Sequence, residues 1–214
     1  MQRPWLINSS RRGFLRMCPP MLGAFVLATC SRRSPNQTLY AGDQTDSAQG
    51  LPPTPACDDD GLTPSLTAGP FYTPNSPERQ SLLEPGITGT RMIITGQALS
   101  VSCAPIANAL VDFWHANDRG EYDNNGYNLR GHQFTDNEGR YWLETIVPGI
   151  YPGRTRHFHV KVQAPNQSVL TTQLYFPEEP LNRSDRLFRP ELLMSILDED
   201  DVKQAKFNFV LDVG

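Results

Sequence analysis

The stretch that decides the fold is residues 148–162, which read PGIYPGRTRHFHVKV. Side chains of an extended strand point alternately to opposite faces. His157 and His159 therefore share one face, whereas Phe158 and the two valines that follow it share the other. The pattern predicts a strand that buries an apolar face and presents two imidazoles side by side.

A turn precedes this strand. The pairs Pro-Gly at 148–149 and 152–153 interrupt any regular element, and the turn they predict brings Tyr151 and Arg154 close to the imidazoles. Two histidines at this spacing are a modest metal signal, and a pair of structural histidines remains an alternative. Phenolate oxygen together with imidazole nitrogen is a hard, anionic ligand set, which favours a ferric ion over zinc or copper(I).

The rest of the chain predicts a mainly β protein. Its 214 residues include 19 prolines and 16 glycines, and its apolar runs are short and rich in Val, Ile, Phe and Thr. We therefore expect one domain, an antiparallel β-sandwich with long loops and little helix. Strands are predicted near residues 92–98, 110–114, 141–145, 157–163, 170–176 and 206–213.

Three other segments are assigned between these strands. Residues 63–73 are expected to pack over the domain as an ordered arm, and residues 120–131 to form a polar loop that holds Tyr122 and Tyr127. A short helix is predicted within residues 180–197, with Pro190 at its start and an apolar side formed by Leu192, Leu193, Ile196 and Leu197.

Residues 1–30 are typical of an export signal. Arg11 and Arg12, followed by an apolar run that is too short to span a bilayer, resemble a twin-arginine signal, with a disordered basic tail as the alternative. The run ends at Cys30 in a sequence that resembles a lipoprotein cleavage site, although Thr29 departs from the usual small residue. The prediction is export to the periplasm or cell envelope, with a lipid anchor at Cys30 left open.

Residues 31–56 are polar and predict a flexible tether, which leaves residues 57–214 for the sandwich domain. Removing residues 1–29 would take away four arginines and no acidic residue, which lowers the formal net charge from −4 to −8. Such a protein offers no basic surface for nucleic acid. Cys57 and Cys103 remain as one pair in an oxidising compartment and are predicted to form a disulfide, with two buried thiols as the alternative.

Several motifs together resemble the intradiol ring-cleavage dioxygenases, of the kind that act on protocatechuate and catechol, and especially their short exported members. They are GPFY (69–72), VDFWHANDRGEYD (111–123), LRGHQFTDNEGRYWLET (129–145), the opening stretch and LTTQLYF (170–176). The resemblance implies a non-haem Fe(III) held by Tyr122, Tyr151, His157 and His159. Tyr127 is the one rival for the first position.

The same resemblance implies roles for two further residues. Arg154 corresponds to an arginine that stabilises negative charge on the substrate ring, and Gln173 to a glutamine that orients this arginine. A surface arginine and a polar sheet residue are the alternatives. Arg156, which stands where the family usually has a smaller or apolar residue, would add positive charge at the mouth of the site and favour an acidic catechol such as protocatechuate.

The implied activity is cleavage of a catechol by O2 to a cis,cis-muconate, with Tyr151 released from the metal when substrate binds. The catechol, O2 and the iron are the expected partners, and a homo-oligomer is left open. The main alternative is a non-catalytic β-sandwich binding module of the envelope. The other alternative is a copper or zinc protein that uses the same histidines, and this alternative predicts a site without phenolate ligands.

Overall fold

The computed structural model describes residues 61–199 and 201–213, which fold into two β-sheets. Nine strands are assigned within these residues: β1 (Arg91–Ser100), β2 (Leu110–Trp114), β3 (Arg130–Phe134), β4 (Arg140–Ile146), β5 (His157–Gln163), β6 (Leu170–Tyr175), β7 (Ser195–Glu199), β8 (Val202–Lys206) and β9 (Phe209–Leu211). The described helical segments are two short 3-10 turns, Pro180–Arg183 and Pro190–Leu192. None of the helical segments in this part of the chain is long and apolar enough to cross a membrane.

The strands form two layers. The first sheet has the order β4-β1-β8-β7, with β9 also paired to β1, and the second has the order β3-β2-β5-β6. Neighbouring strands run antiparallel, except that β1 is parallel to both β8 and β9. The predicted antiparallel sandwich is confirmed, with these two parallel pairings as an addition.

The apolar core lies between the sheets and follows the period of two. In β5, Phe158, Val160 and Val162 are fully buried in the core. In β2, Val111 and Phe113 are buried in the same core, as the alternation of that strand predicted. The other face of the second sheet is therefore left for polar side chains.

The arm over residues 63–73 is confirmed. The Thr63 N–H donates to the Val210 carbonyl, and the Leu66 N–H donates to the Thr171 carbonyl. The arm continues beyond the predicted end, since the Arg79 N–H bonds the His132 carbonyl of β3. It thus crosses the polar face of the second sheet.

Strand β3 was missed because its sequence, RGHQF, is polar. Its side chains find partners only in the folded protein: His132 Nδ1 lies 3.2 Å from Ser76 Oγ, and Gln133 bonds both the N–H and the carbonyl of Trp142 at the edge of β4. Gly131 is needed here, because a Cβ would lie 2.7 Å from a methyl carbon of Leu82.

The predicted helix within residues 180–197 is wrong. Pro180–Arg183 and Pro190–Leu192 form short 3-10 turns, and Ile196 and Leu197 lie in β7, which pairs with β8. Apolar residues at 192, 194 and 196 also fit the period of a strand, so periodicity alone could not decide. The predicted last strand, residues 206–213, corresponds to the shorter β9, and it shares only Lys206 with β8, which was not predicted.

The export signal, Cys30, the tether and Cys57 lie outside the described residues. The predicted partner of Cys57, Cys103, follows β1 in a turn. The disulfide, the lipid anchor and the domain boundary at residue 57 stay predictions.

Candidate metal centre

The two histidines of β5 are brought together as the alternation predicts. Their Nε2 atoms are 3.1 Å apart on the polar face of the second sheet, and both side chains are buried. His157 Nδ1 donates to the Thr155 carbonyl at 2.6 Å, which leaves its Nε2 lone pair facing His159. The Trp114 ring stacks on the imidazole of His159 at 4.9 Å and fixes the plane of that ring.

Tyr122 completes a group of three donor atoms. Its phenol oxygen lies 3.4 Å from His157 Nε2, and the ring stacks on Phe71 of the arm at 4.5 Å. Tyr127, the rival for this position, is 37% exposed and donates to the Pro74 carbonyl. The structure therefore brings Tyr122, and not Tyr127, to the histidine pair.

Tyr151 approaches from the turn between β4 and β5. Its ring centroid is 5.9 Å from that of Tyr122, and both rings contact Phe71. The turn is held against the Tyr122 loop, because the Gly149 N–H donates to the Asn117 carbonyl at 2.7 Å. The four residues predicted as ligands thus lie in one cluster.

The donor atoms fit a bound cation. Two ligand atoms about 2.1 Å from one ion and near a right angle to each other are about 3 Å apart, close to the spacing of the two Nε2 atoms. Between the two neutral imidazoles, at most one proton can lie between the Nε2 atoms. His159 Nδ1 is buried without a hydrogen-bond partner among the described residues. A cation between the Nε2 atoms would leave the proton of His159 on Nδ1 and relieve the repulsion of two lone pairs.

The electrostatics of the cluster favour neutral histidines and oppose a free phenolate. Burial lowers the pKa of His157 to about 4, with the charge of Arg154 acting in the same direction, and it lowers the pKa of His159 well below 6.5. Burial raises the pKa of Tyr122 to about 12, whereas Arg154 and Arg130 act in the opposite direction. At neutral pH the histidines are therefore ready to bind a metal, and Tyr122 needs a cation to ionise.

Arg154 stands beside this cluster in a fixed position. Its Nε donates to Asp185 Oδ2 at 2.8 Å and its Nη2 donates to Gln173 Oε1 at 2.6 Å. Gln173 in turn donates to the Thr67 carbonyl of the arm, at 2.9 Å. The predicted contact between Gln173 and Arg154 is therefore present. Together with the bond to Asp185, it fixes the orientation of the guanidinium.

Comparisons with known proteins agree with this geometry. The model of a family described as "Dioxygenase" matches residues 67–213. The chain belongs to the intradiol ring-cleavage dioxygenase family. A member of known structure, the dioxygenase domain of a dioxygenase–carbohydrate-binding protein fusion from Streptomyces sp. SirexAA-E, is 48% identical and covers 72% of this chain and 100% of that domain, with a TM-score of 0.70.

Curated members of the intradiol dioxygenase family are more distant. The hydroxyquinol 1,2-dioxygenase of Rhizobium sp. (strain MTP-10005) is 30% identical over 68% of this chain and 59% of the relative. The protocatechuate 3,4-dioxygenase beta chain of Burkholderia cepacia is 36% identical over 47% of this chain and 51% of the relative. The chain thus spans between half and three-fifths of the length of these two relatives.

Asp185 holds Arg154, and sequence reasoning missed it. Its side chain is 3% exposed and accepts the N–H groups of Thr155 and Leu187 as well as Arg154. Burial raises the pKa of its carboxyl, but these three donors outweigh burial and lower it. Asp185 lies 31 residues from Arg154 in a polar segment, so no local pattern connects the two.

The arm supplies contacts that only its GPFY motif could have indicated. A Cβ at Gly69 would lie 3.3 Å from the ring of His159, and Phe71 covers both tyrosines. Tyr72 packs on Trp114, and its phenol donates to Asp112 at 3.3 Å. The motif therefore forms the wall of the site opposite the sheet.

Arg156 does not have the free charge that its sequence position suggested. Its Nε donates to Glu179 Oε1 at 2.5 Å, its Nη1 donates to the Pro148 carbonyl, and its guanidinium lies over the Phe176 ring. Because Glu179 balances its charge, the expectation of added positive charge at the mouth is not supported. Arg156, which directly precedes His157, instead bonds the start of the turn that carries Tyr151.

Proposed function

We propose that this chain is a non-haem Fe(III) intradiol dioxygenase, which opens the ring of a protocatechuate- or catechol-like substrate with O2 to give a cis,cis-muconate. The observation that carries the proposal is the position of His157 Nε2, which lies 3.1 Å from His159 Nε2 and 3.4 Å from the Tyr122 phenol oxygen. Family membership supports the same chemistry. Tyr151 beside Tyr122 would complete the ligand set.

The iron would be held by the two imidazoles and the two phenols. When bound, it would supply Lewis-acid activation of the catechol toward O2. Tyr151, which sits on the more exposed turn, is the ligand expected to give way to the substrate, and its phenolate oxygen can accept a catechol proton as it leaves. Tyr122, whose loop is held by the Asp123 side chain, would stay in place.

Arg154 would act on the charge that develops on the ring. Its guanidinium is already oriented by Asp185 and Gln173, so no reorganisation is needed when the substrate becomes anionic. Phe71 would exclude water from the side of the arm, since its ring lies against both tyrosines. These residues therefore account for orientation, charge stabilisation and shielding.

The first test is the visible spectrum of the purified protein with its iron quantified, before and after addition of catechol or protocatechuate without oxygen. Tyrosinate bound to Fe(III) absorbs by charge transfer, so a coloured protein whose band shifts with the substrate is expected. Admitting O2 should then yield the muconate, identified by mass. An iron-loaded protein that stays colourless would overturn the proposal.

The same experiment separates the alternative functions. A binding module of the envelope would keep its ligand affinity after Tyr151→Phe or His159→Ala, whereas the proposed enzyme would lose its coloured complex. A copper or zinc protein would bind its metal without a tyrosinate band. Comparing catechol with protocatechuate in the spectrum also identifies the preferred substrate.

We also propose that the protein is exported in folded form through the twin-arginine signal at Arg11 and Arg12, which would allow iron to be loaded inside the cell. Replacing both residues by lysine should retain the protein inside. Delivery of active protein outside by the Lys-Lys variant would count against this route. Mass spectrometry of the exported protein would show whether Cys30 carries a lipid.

A further inference from the structure

Arg130 is a buried cation with an unusual set of partners. It is 1% exposed, yet none of the ion pairs found in the described residues involves it. Its Nε and Nη2 both donate to one backbone carbonyl, that of Asp123, at 3.1 and 2.6 Å. Burying a guanidinium without a counter-ion costs free energy, so a buried arginine that bonds only a backbone carbonyl is expected to have a structural or functional role.

The carbonyl in question belongs to the residue that follows Tyr122. The Asp123 carboxylate accepts the N–H groups of Asn125 and Gly126 through Oδ1 and that of Asn128 through Oδ2. The side chain of Asp123 therefore closes the loop on itself, and Arg130 holds the closed loop at its first residue. The backbone of Tyr122 is fixed on its C-terminal side by this arrangement.

Arg130 also belongs to the strand row that carries a candidate ligand. In the registers of the second sheet, Arg130 pairs with Trp114, and Trp114 pairs with His159. The three buried side-chain nitrogens without a hydrogen-bond partner among the described residues lie in this one row: Arg130 Nη1, Trp114 Nε1 and His159 Nδ1. The row thus connects the Tyr122 loop to His159 through the rigid part of the fold.

We propose that Arg130 is a positioning residue of the metal centre, which holds the Asp123 carbonyl and thereby sets the Tyr122 phenol at its distance from His157. The inference rests on the proposed function, since it concerns the same iron site. Arg130 does not touch the metal or the substrate. It acts through the backbone, so replacing it should loosen Tyr122 while leaving His157 and His159 in place.

The first experiment uses the metal-free full-length protein and hydrogen exchange. Arg130→Gln should speed exchange about 10-fold or more at residues 122–129 and leave the β5 amides unchanged, because only the loop loses its anchor. The same change at the exposed Arg183 is the control and should alter neither segment. Equal acceleration across the sheet would show that Arg130 serves only global stability and would overturn the proposal.

The second experiment measures Fe(III) affinity by competition with a chelator, together with the tyrosinate band. Arg130→Gln should weaken iron binding about 10- to 100-fold, the usual cost of losing a contact that orients a ligand. Arg130→Lys, which keeps the charge but not the two parallel N–H groups, should weaken it nearly as much. Full rescue by lysine would overturn the proposal, because it would show that the charge at residue 130, and not the two N–H bonds to the Asp123 carbonyl, sets iron affinity.

A double substitution makes the coupling explicit. In a Tyr122→Phe background, Arg130→Gln should cost little further iron affinity, because the phenol it positions is already gone. An additive loss would overturn the proposal. If Arg130→Gln does not fold, Arg130→Lys serves in both experiments. If the parent protein binds no iron, the proposed function fails, whereas the exchange experiment still decides whether Arg130 holds the loop.

Discussion

The two candidate tyrosine ligands stand on loops that differ in how firmly they are held. Around Tyr122, the side chain of Asn117 accepts the N–H groups of Arg119 and Glu121, and Asp123 closes the following turn. The Tyr151 turn is held by backbone bonds of Arg154 and Gly149 and by Arg156, but no side chain closes it on itself as Asp123 does; Ile150 is 41% exposed, and a Cβ at Gly153 would meet no atom within 4 Å. Two ligands of the same chemistry are thus given unequal freedom, which suits one permanent and one replaceable ligand.

The two loops nevertheless touch at two glycines. A Cβ at Gly120 would lie 2.2 Å from the Ile150 carbonyl oxygen, and a Cβ at Gly149 would lie 2.3 Å from the Gly120 nitrogen. Gly120 also has a φ of 85°, which side chains disfavour. The position of one tyrosine therefore depends on the other loop, even though the two loops differ in restraint.

The largest expected effect would test the unequal roles directly. Tyr122→Phe should lower iron affinity by more than about 100-fold, above the range for a contact outside the ligand set, whereas Tyr151→Phe should lower it by less than about 10-fold. Both should reduce kcat/KM by about 10⁴, because each removes a member of one catalytic unit. Iron affinity is measured by chelator competition and turnover by O2 uptake.

Tyr127→Phe is the matched control for these two variants. Its phenol donates to the Pro74 carbonyl on the outside of the same loop, so its removal should change neither iron affinity nor turnover. Equal loss of iron in the Tyr122 and Tyr151 variants would contradict the assignment of a permanent and a replaceable ligand.

Asp185→Asn should act on catalysis without acting on the metal. The variant leaves Arg154 without its counter-ion, so kcat/KM should fall by about 10² to 10³, the cost of losing one preorganised charge-stabilising group. Iron content and the colour of the resting protein should not change, because Asp185 contacts no ligand and the asparagine oxygen can still accept the Thr155 N–H. Asp198→Asn, at an exposed ion pair with Lys203, is the control.

The glycine contact predicts a difference in stability. Gly120→Ala forces a Cβ into the Ile150 carbonyl and should cost about 3 kcal/mol of unfolding free energy. Gly153→Ala has a φ of 80° but open space, so it should cost only about 1 kcal/mol. Urea unfolding of the metal-free protein measures both. Similar costs would show that the two loops do not constrain each other.

A pH dependence of stability is expected from His115, whose backbone N–H donates to the Leu129 carbonyl at the base of the Tyr122 loop. Burial lowers the pKa of His115 to about 3. Between about pH 4 and 6 the unfolded chain therefore binds a proton here that the folded protein does not, and stability falls by about 1.4 kcal/mol per pH unit as pH falls. His157 and His159 contribute in the same direction, so His115→Gln should reduce the total slope of the metal-free protein by this amount and not abolish it. An unchanged slope would place a charged imidazole in the fold.

Sequence period predicted the parts of the fold in which core and surface alternate. Strands β2 and β5 were predicted at their observed ends, since Val111, Phe113 and Phe158 mark the buried face without ambiguity. Strand β3 and the β7–β8 hairpin were missed. Their polar or ambiguous patterns acquire meaning only from tertiary partners, such as the bonds from Gln133 to Trp142.

The candidate site was predictable as far as its motifs reach. The predicted ligands and the contact between Arg154 and Gln173 come together because each lies in a motif with a fixed place on the second sheet or its loops. Asp185 and Arg130 could not be found in this way. Asp185 acts through Arg154, 31 residues away in sequence. Arg130 lies within a motif, but no period or spacing indicates that its guanidinium bonds the Asp123 carbonyl.

The strict alternation in β5 makes the site resistant to misassembly. A slip of this strand by one residue would drive both imidazoles into the apolar core and turn Phe158 and the valines to the polar face. Such an error costs the burial of several large side chains, far more than a single ligand could recover. The hydrophobic core thus selects the strand register that places both histidines on the polar face, and this selection does not depend on a bound metal.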